Sequence, residues 1–270
     1  MPETSAPDAK PLTRGDDWHF SASQIELLLS CLRKWGWKYP GNQRTDAGPG
    51  AALGTRVHKV LEDYLDHGGE LPFSSPDPLV REAAYILAPG LEHFPKPGTP
   101  TLKAEREFRF EIDIPGTDLP LRFTGKIDAS TCQPGQTVEV FDLKTSKDIP
   151  QYHKSAEVLA EDPQALLYAF WAMLEWGVDE VKCTWVYVAT KGKKYAKAVS
   201  ILLTSAHVMP RIEALFPLLI HARIVLQRSL LPVVLPPDTS HCNAFGGCPY
   251  IGQCEKVDGK TNPFTRMKSR

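Results

Sequence analysis

TGKIDASTCQPGQTVEVFDLKT, residues 124–145, reads as two short strands that end in Asp128 and in Asp142-Leu143-Lys144. Val138 to Thr145 is β-branched and apolar enough for a buried strand, and strand side chains return to one face every second residue. Asp142 and Lys144 therefore share a face. The run before it, Leu121 to Ala129, alternates, and Gln133-Pro134-Gly135-Gln136 supplies turn residues, which predicts an antiparallel hairpin that sets Asp128 beside Asp142. Two carboxylates about 4 Å apart repel by roughly 4 kcal/mol at an effective dielectric of about 20. The pair must share a proton, pair with cations or bind a metal. Oxygen ligands of this kind suit Mg2+ or Mn2+. Such an ion lowers the pKa of bound water and neutralises charge on a phosphorane-like transition state, while Lys144 orients the nucleophile or steadies that charge. An exposed Asp-Lys pair on a surface hairpin reads the same way, so the flanking segments must discriminate.

Upstream, Val57, Val60, Leu61, Tyr64 and Leu65 stand at helical core spacing, with Gly68-Gly69 as a stop. His58 lies on the flank of that stripe. Downstream, Asp162-Pro163 is an N-cap followed by proline at the first helical position. Gln164 and Tyr168, four residues apart, share one face of that helix, and Leu167, Phe170, Trp171 and Leu174 supply its core. On the alternating strand Leu102 to Ile114, Glu105 or Glu107 offers a further carboxylate.

These segments, in this order, resemble the PD-(D/E)XK nuclease superfamily and its RecB-like branch. The usual order there is a helix with a histidine, a strand ending G-x-[IV]-D, a strand ending D-x-K, and a helix with Q-x-x-x-Y. The chain supplies Gly54-Thr55-Arg56-Val57-His58, Gly125-Lys126-Ile127-Asp128, Asp142-Leu143-Lys144 and Gln164-Ala165-Leu166-Leu167-Tyr168. The resemblance spans roughly residues 20–255. It implies that His58, Asp128 and Asp142 hold a metal with the Leu143 carbonyl as an added ligand, and that Lys144 assists the attacking water. It also implies that Gln164 and Tyr168 contact the nucleic-acid backbone or shape the site. Glu105 is the candidate for an additional ligand.

Cysteines form a second constellation. Cys242, Cys248 and Cys254 lie amid glycine and proline, and Cys31 closes the early helix predicted over Ser23 to Leu32. This resembles the iron-sulfur subset of RecB-like nucleases, which includes AddB-type nuclease domains and CRISPR adaptation nucleases. The resemblance implies a [4Fe-4S] cluster held by Cys31, Cys242, Cys248 and Cys254, stapling the N-terminal helix to the C-terminal loop. The subset's C-x2-C-x5-C spacing is departed from, because both gaps here hold five residues. Zinc is the rival occupant, with His241 able to replace one cysteine. A disulfide network is disfavoured by the absence of a visible secretory signal. Cys132 and Cys183 receive no role.

At 270 residues and 42% hydrophobic content the chain can bury a large core, and no apolar run approaches a membrane span. A formal net charge of -1 excludes a binder that is basic over its whole surface, so contact with DNA must use a local basic groove. Two candidates are Lys191-Gly192-Lys193-Lys194-Tyr195-Ala196-Lys197, at the tip of a predicted hairpin, and Arg33 to Tyr39, where cations interleave with Trp35, Trp37 and Tyr39.

The fold expected is α/β, a restriction-endonuclease-like core with a central mixed sheet flanked by helices. Residues 1–17 form a tail of disordered composition, residues 18–255 the nuclease domain, and residues 256–270 a basic flexible tail. Within the domain, residues 69–100 are a proline-rich insertion around a helix Pro78 to Leu87, and residues 240–255 are the cysteine loop. A long helix over 205–230 turns Leu215, Leu218, Leu219 and Ile224 inward. No G-x-x-x-x-G-K-[ST] phosphate loop is present, so the expectation is a stand-alone nuclease or a subunit recruited by others, a helicase or recombination or replication proteins among them. The function expected is a Mg2+- or Mn2+-dependent deoxyribonuclease acting on single-stranded ends in the cytoplasm of a bacterial or phage-infected cell. The alternative is a nuclease-fold DNA-binding or accessory subunit of a larger DNA-processing complex.

Overall fold

The computed structural model describes residues 17–43, 48–117, 120–132, 135, 137–228, 230, 232–243 and 247–258. The expected tails lie largely outside these residues, as do three of the four turn residues at 133–136. In chain order the elements are β1 (His19–Phe20), α1 (Ala22–Ser30), α2 (Leu32–Lys38), α3 (Pro49–His67), α4 (Pro78–Leu87), β2 (Lys103–Ile112), β3 (Leu121–Thr131) and β4 (Val138–Ser146). There follow α5 (Ile149–Tyr152), α6 (Ala156–Ala160), α7 (Pro163–Trp176), β5 (Glu180–Ala189), β6 (Ala196–Thr204), α8 (Ser205–Gln227) and α9 (Ile251–Asp258). The chain divides into two compact units, one from residues 1–46, 111–122 and 217–270, the other from 47–110 and 123–216.

The second unit is built on a mixed sheet. β3 and β4 are antiparallel with Ala129 opposite Phe141, β4 and β5 parallel, β5 and β6 antiparallel, and β2 pairs with β3. The predicted hairpin is therefore present. Strand alternation divides its side chains between two helical layers. Phe141, Leu143, Val186 and Val188 point to the layer of α3 and α4, where they join Val57, Val60, Leu61, Leu65, Ile86 and Leu87 in one buried cluster. Each such side chain removed from water is worth about 2 kcal/mol. The other face meets α7: Phe108 of β2 stacks on Trp171 at 5.0 Å, and Trp185 of β5 lies 6.3 Å from Tyr168.

Local signals place the helices that carry polar side chains. α3 ends where Gly68 takes φ 70°, a conformation glycine adopts without a Cβ clash. α7 starts at Asp162, whose carboxylate accepts from the Gln164 and Ala165 amides. Pro163 follows it.

In the first unit, Arg33 to Tyr39 is not an exposed stacking surface. It is α2, with Trp35 and Trp37 buried and the Arg33 Nε donating to Leu235 O at 2.6 Å. Interleaved cations and aromatics read alike for a groove and for a helix whose aromatics are core, and here packing decided. Along α8 the burial also departs from the expected stripe: Leu219 is buried, whereas Leu215, Leu218 and Ile224 are half-buried and Val208, Ile212, Ala222, Val225 and Leu226 fill the interior.

Candidate active site

The hairpin ladder is recorded from Ala129 and Phe141 toward the turn, so Asp128 and Asp142 lie just beyond it. There the Leu143 N–H donates to Asp128 Oδ2 at 2.6 Å. The other oxygen, Oδ1, is 2.6 Å from His58 Nδ1, delivered by α3. Asp128 thus ties the helix to the strand pair through both its oxygens.

Asp142 anchors a second chain of contacts. Its Oδ2 lies 2.7 Å from the Lys144 ammonium, and its Oδ1 accepts from Gln164 Nε2 at 2.9 Å. Lys144 in turn donates to Gln164 Oε1 at 2.8 Å. Gln164 Nε2 also reaches the Tyr168 hydroxyl at 2.8 Å, and that hydroxyl donates to Lys126 O at 2.6 Å. Gln164 therefore spends both ends of its amide on the Asp142-Lys144 pair and braces it from α7.

Glu105, not Glu107, faces the site. Glu107 is exposed, whereas ligand atoms of His58, Glu105 and Asp128 lie within 4.8 Å of one another, and Glu105 pairs with Lys126. The backbone explains why alternation could not separate the two glutamates. Glu105 takes φ 45°, a left-handed conformation that costs a non-glycine residue roughly 1–3 kcal/mol and clusters at functional sites. It breaks the strand parity: Ala104 packs toward α3 and α4, while Arg106 lies over the Trp171 ring on α7.

A cleft of about 520 Å3 holds these groups. Its walls include residues that sequence reasoning passed over: Lys126 inside the G-x-I-D segment, and Ala51, Gly54, Thr55, Lys59 and Glu62 on α3. For Gly54, Thr55 and Glu62 the signal was a spacing of three or four residues from His58.

Electrostatics marks the site as one that favours a cation. Burial raises the Asp142 carboxyl most, the Lys144 ammonium opposes, and the Asp128 charge adds, leaving Asp142 pushed up to about 6. Burial works against protonated His58, but the contact with Asp128 outweighs it and its pKa is raised. The donor set is hard oxygen plus imidazole, and Asp142 Oδ2 is buried with only the Lys144 ammonium beside it. These residues fit a divalent cation of the Mg2+ or Mn2+ type.

A carboxyl whose folded pKa lies above its ordinary value stabilises the fold while protonated, and that contribution is lost as pH rises through the folded value. In EDTA, the wild-type Tm is expected to fall relative to that of Asp142→Asn between about pH 4 and about pH 7. The loss should be of order 1–3 kcal/mol. Parallel Tm profiles for the two proteins across that window would contradict the assignment.

In the first unit, Cys31 caps α2. Its Sγ accepts from the Lys34 and Asp238 amides, each at 3.4 Å. The Cys248 N–H donates to Cys242 O at 2.7 Å, and Cys254 lies on α9 beside Arg33 and Trp37. Burial, then the nearby thiols of Cys248, Cys31 and Cys254, raise the Cys242 pKa, so the four sulfurs share one neighbourhood. Among the described residues no three cysteine sulfurs come within 4.8 Å of one another.

A model of the PD-(D/E)XK nuclease superfamily matches residues 19–255. No curated protein matches the chain. Among solved structures, a "Putative exonuclease" from Eubacterium rectale shares 13% identity at a TM-score of 0.51, over 93% of this chain and 92% of that one. SSO0001 shares 15% identity at a TM-score of 0.41, over 75% of this chain and 77% of that one. The likeness to the first is one of fold. Among the described residues, no helix is long and apolar enough to cross a membrane.

Proposed function

Because the chain belongs to the PD-(D/E)XK nuclease superfamily, we propose that it is a Mg2+- or Mn2+-dependent deoxyribonuclease that degrades DNA from single-stranded ends. Its setting would be recombination, repair or replication, with a helicase or other partner opening the duplex. The observation that carries this reading is the convergence of His58, Glu105, Asp128, Asp142 and Lys144 on one cleft.

A cation held by His58, Asp128, Asp142 and the Leu143 carbonyl, with Glu105 in reach, would supply an acidified water and neutralise phosphate charge. Asp128 is held through both oxygens, by His58 and by the Leu143 amide. Lys144 has three N–H donors, of which Asp142 and Gln164 take two. The third is available to the attacking water or to a phosphate oxygen. Gln164 and Tyr168 hold that ammonium in place. Their contacts support a bracing role more than contact with the nucleic-acid backbone. The test is cleavage of end-labelled single- and double-stranded DNA with Mg2+, Mn2+ or EDTA. Product formation from single-stranded ends only with the metals is expected, and cleavage that persists in EDTA would refute the reading.

We also assign a [4Fe-4S] cluster to Cys31, Cys242, Cys248 and Cys254. The two amides aimed at Cys31 Sγ support it, since hydrogen bonds to sulfur are a regular feature of such clusters. Anaerobic purification should yield a brown protein with visible absorbance, bleached in Cys31→Ser. A colourless protein carrying one zinc per chain would decide for the rival.

A further inference from the structure

We propose that Lys197, oriented by His153, holds a second phosphate of the strand whose scissile phosphate sits at Lys144, so that single-stranded nucleic acid is gripped at two points across one face of the sheet. This rests on the nuclease reading above.

The register makes the connection. Lys144 on β4 is the partner of Tyr187 on β5, and Tyr187 is the partner of Lys197 on β6. Directly opposed residues project from the same face. Two strand spacings of about 4.8 Å place Lys197 about 10 Å from Lys144. Over the intervening residue stands His153, its ring edge-on to that of Tyr187 at 6.2 Å and 83°.

His153 Nδ1 lies 2.8 Å from Ile149 O, a contact that requires the ring to donate there. In the neutral tautomer Nε2 then carries the lone pair, and it faces Lys197 Nζ at 2.6 Å. Other lysines of this sheet face are already neutralised: Lys144 by Asp142, Lys154 by Asp162. Among the described residues no carboxylate pairs with Lys197 or His153. An oxyanion seated beside them would accept from the ammonium.

The surrounding charge has the matching sign. With Lys154 set aside as paired to Asp162, residues 146–154 and 190–197 contain five lysines against the single acid Asp148, in a chain whose net charge is -1. Such a local field draws a polyanion to one path. Tyr187 is buried, and its hydroxyl accepts from the Lys154 amide at 3.1 Å, so it is the floor of that path and offers no face for stacking. Recognition here is of phosphate and indifferent to base.

The experiment measures binding of fluorescein-labelled oligothymidylate to the full chain in EDTA by anisotropy, over a range of salt concentrations. Lys197→Ala and Lys197→Gln should each raise Kd about fivefold and lower the slope of log Kd against log salt by about 0.7, the loss of one phosphate contact on a single strand. Lys197→Arg should keep both wild-type values, an outcome that separates charge from packing. If the wild type binds and cuts the oligonucleotide with Mn2+ while Lys197→Ala and Lys197→Gln match it in Kd and slope, this inference alone falls. If the wild type neither binds nor cuts, it falls together with the nuclease reading.

Discussion

Asp128→Ala is expected to slow Mn2+-dependent cleavage of an end-labelled single strand by roughly a thousandfold, the scale seen when one preorganised electrostatic contact to a transition state is deleted. Asp128 is the residue where the site is assembled: one oxygen meets His58 Nδ1, the other accepts from Leu143 N–H, and Glu105 stands beside it. Removing it takes away a metal oxygen and also leaves a buried amide without its acceptor, which costs about 1–3 kcal/mol of stability. Two readouts therefore belong together. Mn2+ affinity by calorimetry should fall steeply in Asp128→Ala, whereas Lys144→Ala should lose a comparable part of its activity and retain the metal. Cleavage by Asp128→Ala equal to the wild type would remove the site from this cleft.

Gly125→Val is expected to destabilise the protein by about 1–3 kcal/mol, with more if the backbone of β3 has to shift. A Cβ built at Gly125 would lie 2.3 Å from Phe108 Cζ and 2.5 Å from Cε1. A free phenyl ring would swing aside, but this one is held on three sides. It stacks on Trp171 at 5.0 Å and meets Tyr168 edge-on at 5.9 Å and Phe110 at 6.0 Å. Close-packed aromatic rings transmit such a displacement to their neighbours. Through Tyr168 the disturbance would reach Gln164 and the Lys144 ammonium, so activity should fall along with Tm. Chemical denaturation of Gly125→Val and Gly125→Ala measures the first effect. A midpoint unchanged in both would mean that Phe108 is free to move.

Much of this was readable from residue order. The period-2 pattern of Val138 to Thr145 put Asp142 and Lys144 on one face, and the turn residues at 133–136 implied the hairpin that brings Asp128 alongside. The N-cap and proline at 162–163, and the glycine after His67, marked where α7 begins and α3 ends, because capping is a local property of a few backbone groups. Other features were hidden for equally physical reasons. Arg33 to Tyr39 has one composition and two uses, and burial against Leu235 chose between them. The α8 stripe shifted because the partners that cover a long helix are not encoded in its own periodicity. Glu105 and Glu107 share a parity in any regular strand, and only the left-handed residue that breaks the strand tells them apart.

The sequence by itself determined the hairpin, the spacing of Asp128, Asp142 and Lys144, and the superfamily to which the chain belongs, since each follows from local pattern. Tertiary structure decided which glutamate joins the site, how Gln164 braces Lys144, and that Lys197 stands two strands from Lys144. Those facts depend on contacts between segments 20 to 53 residues apart in the chain, set by strand register and helix packing, and no local pattern records them.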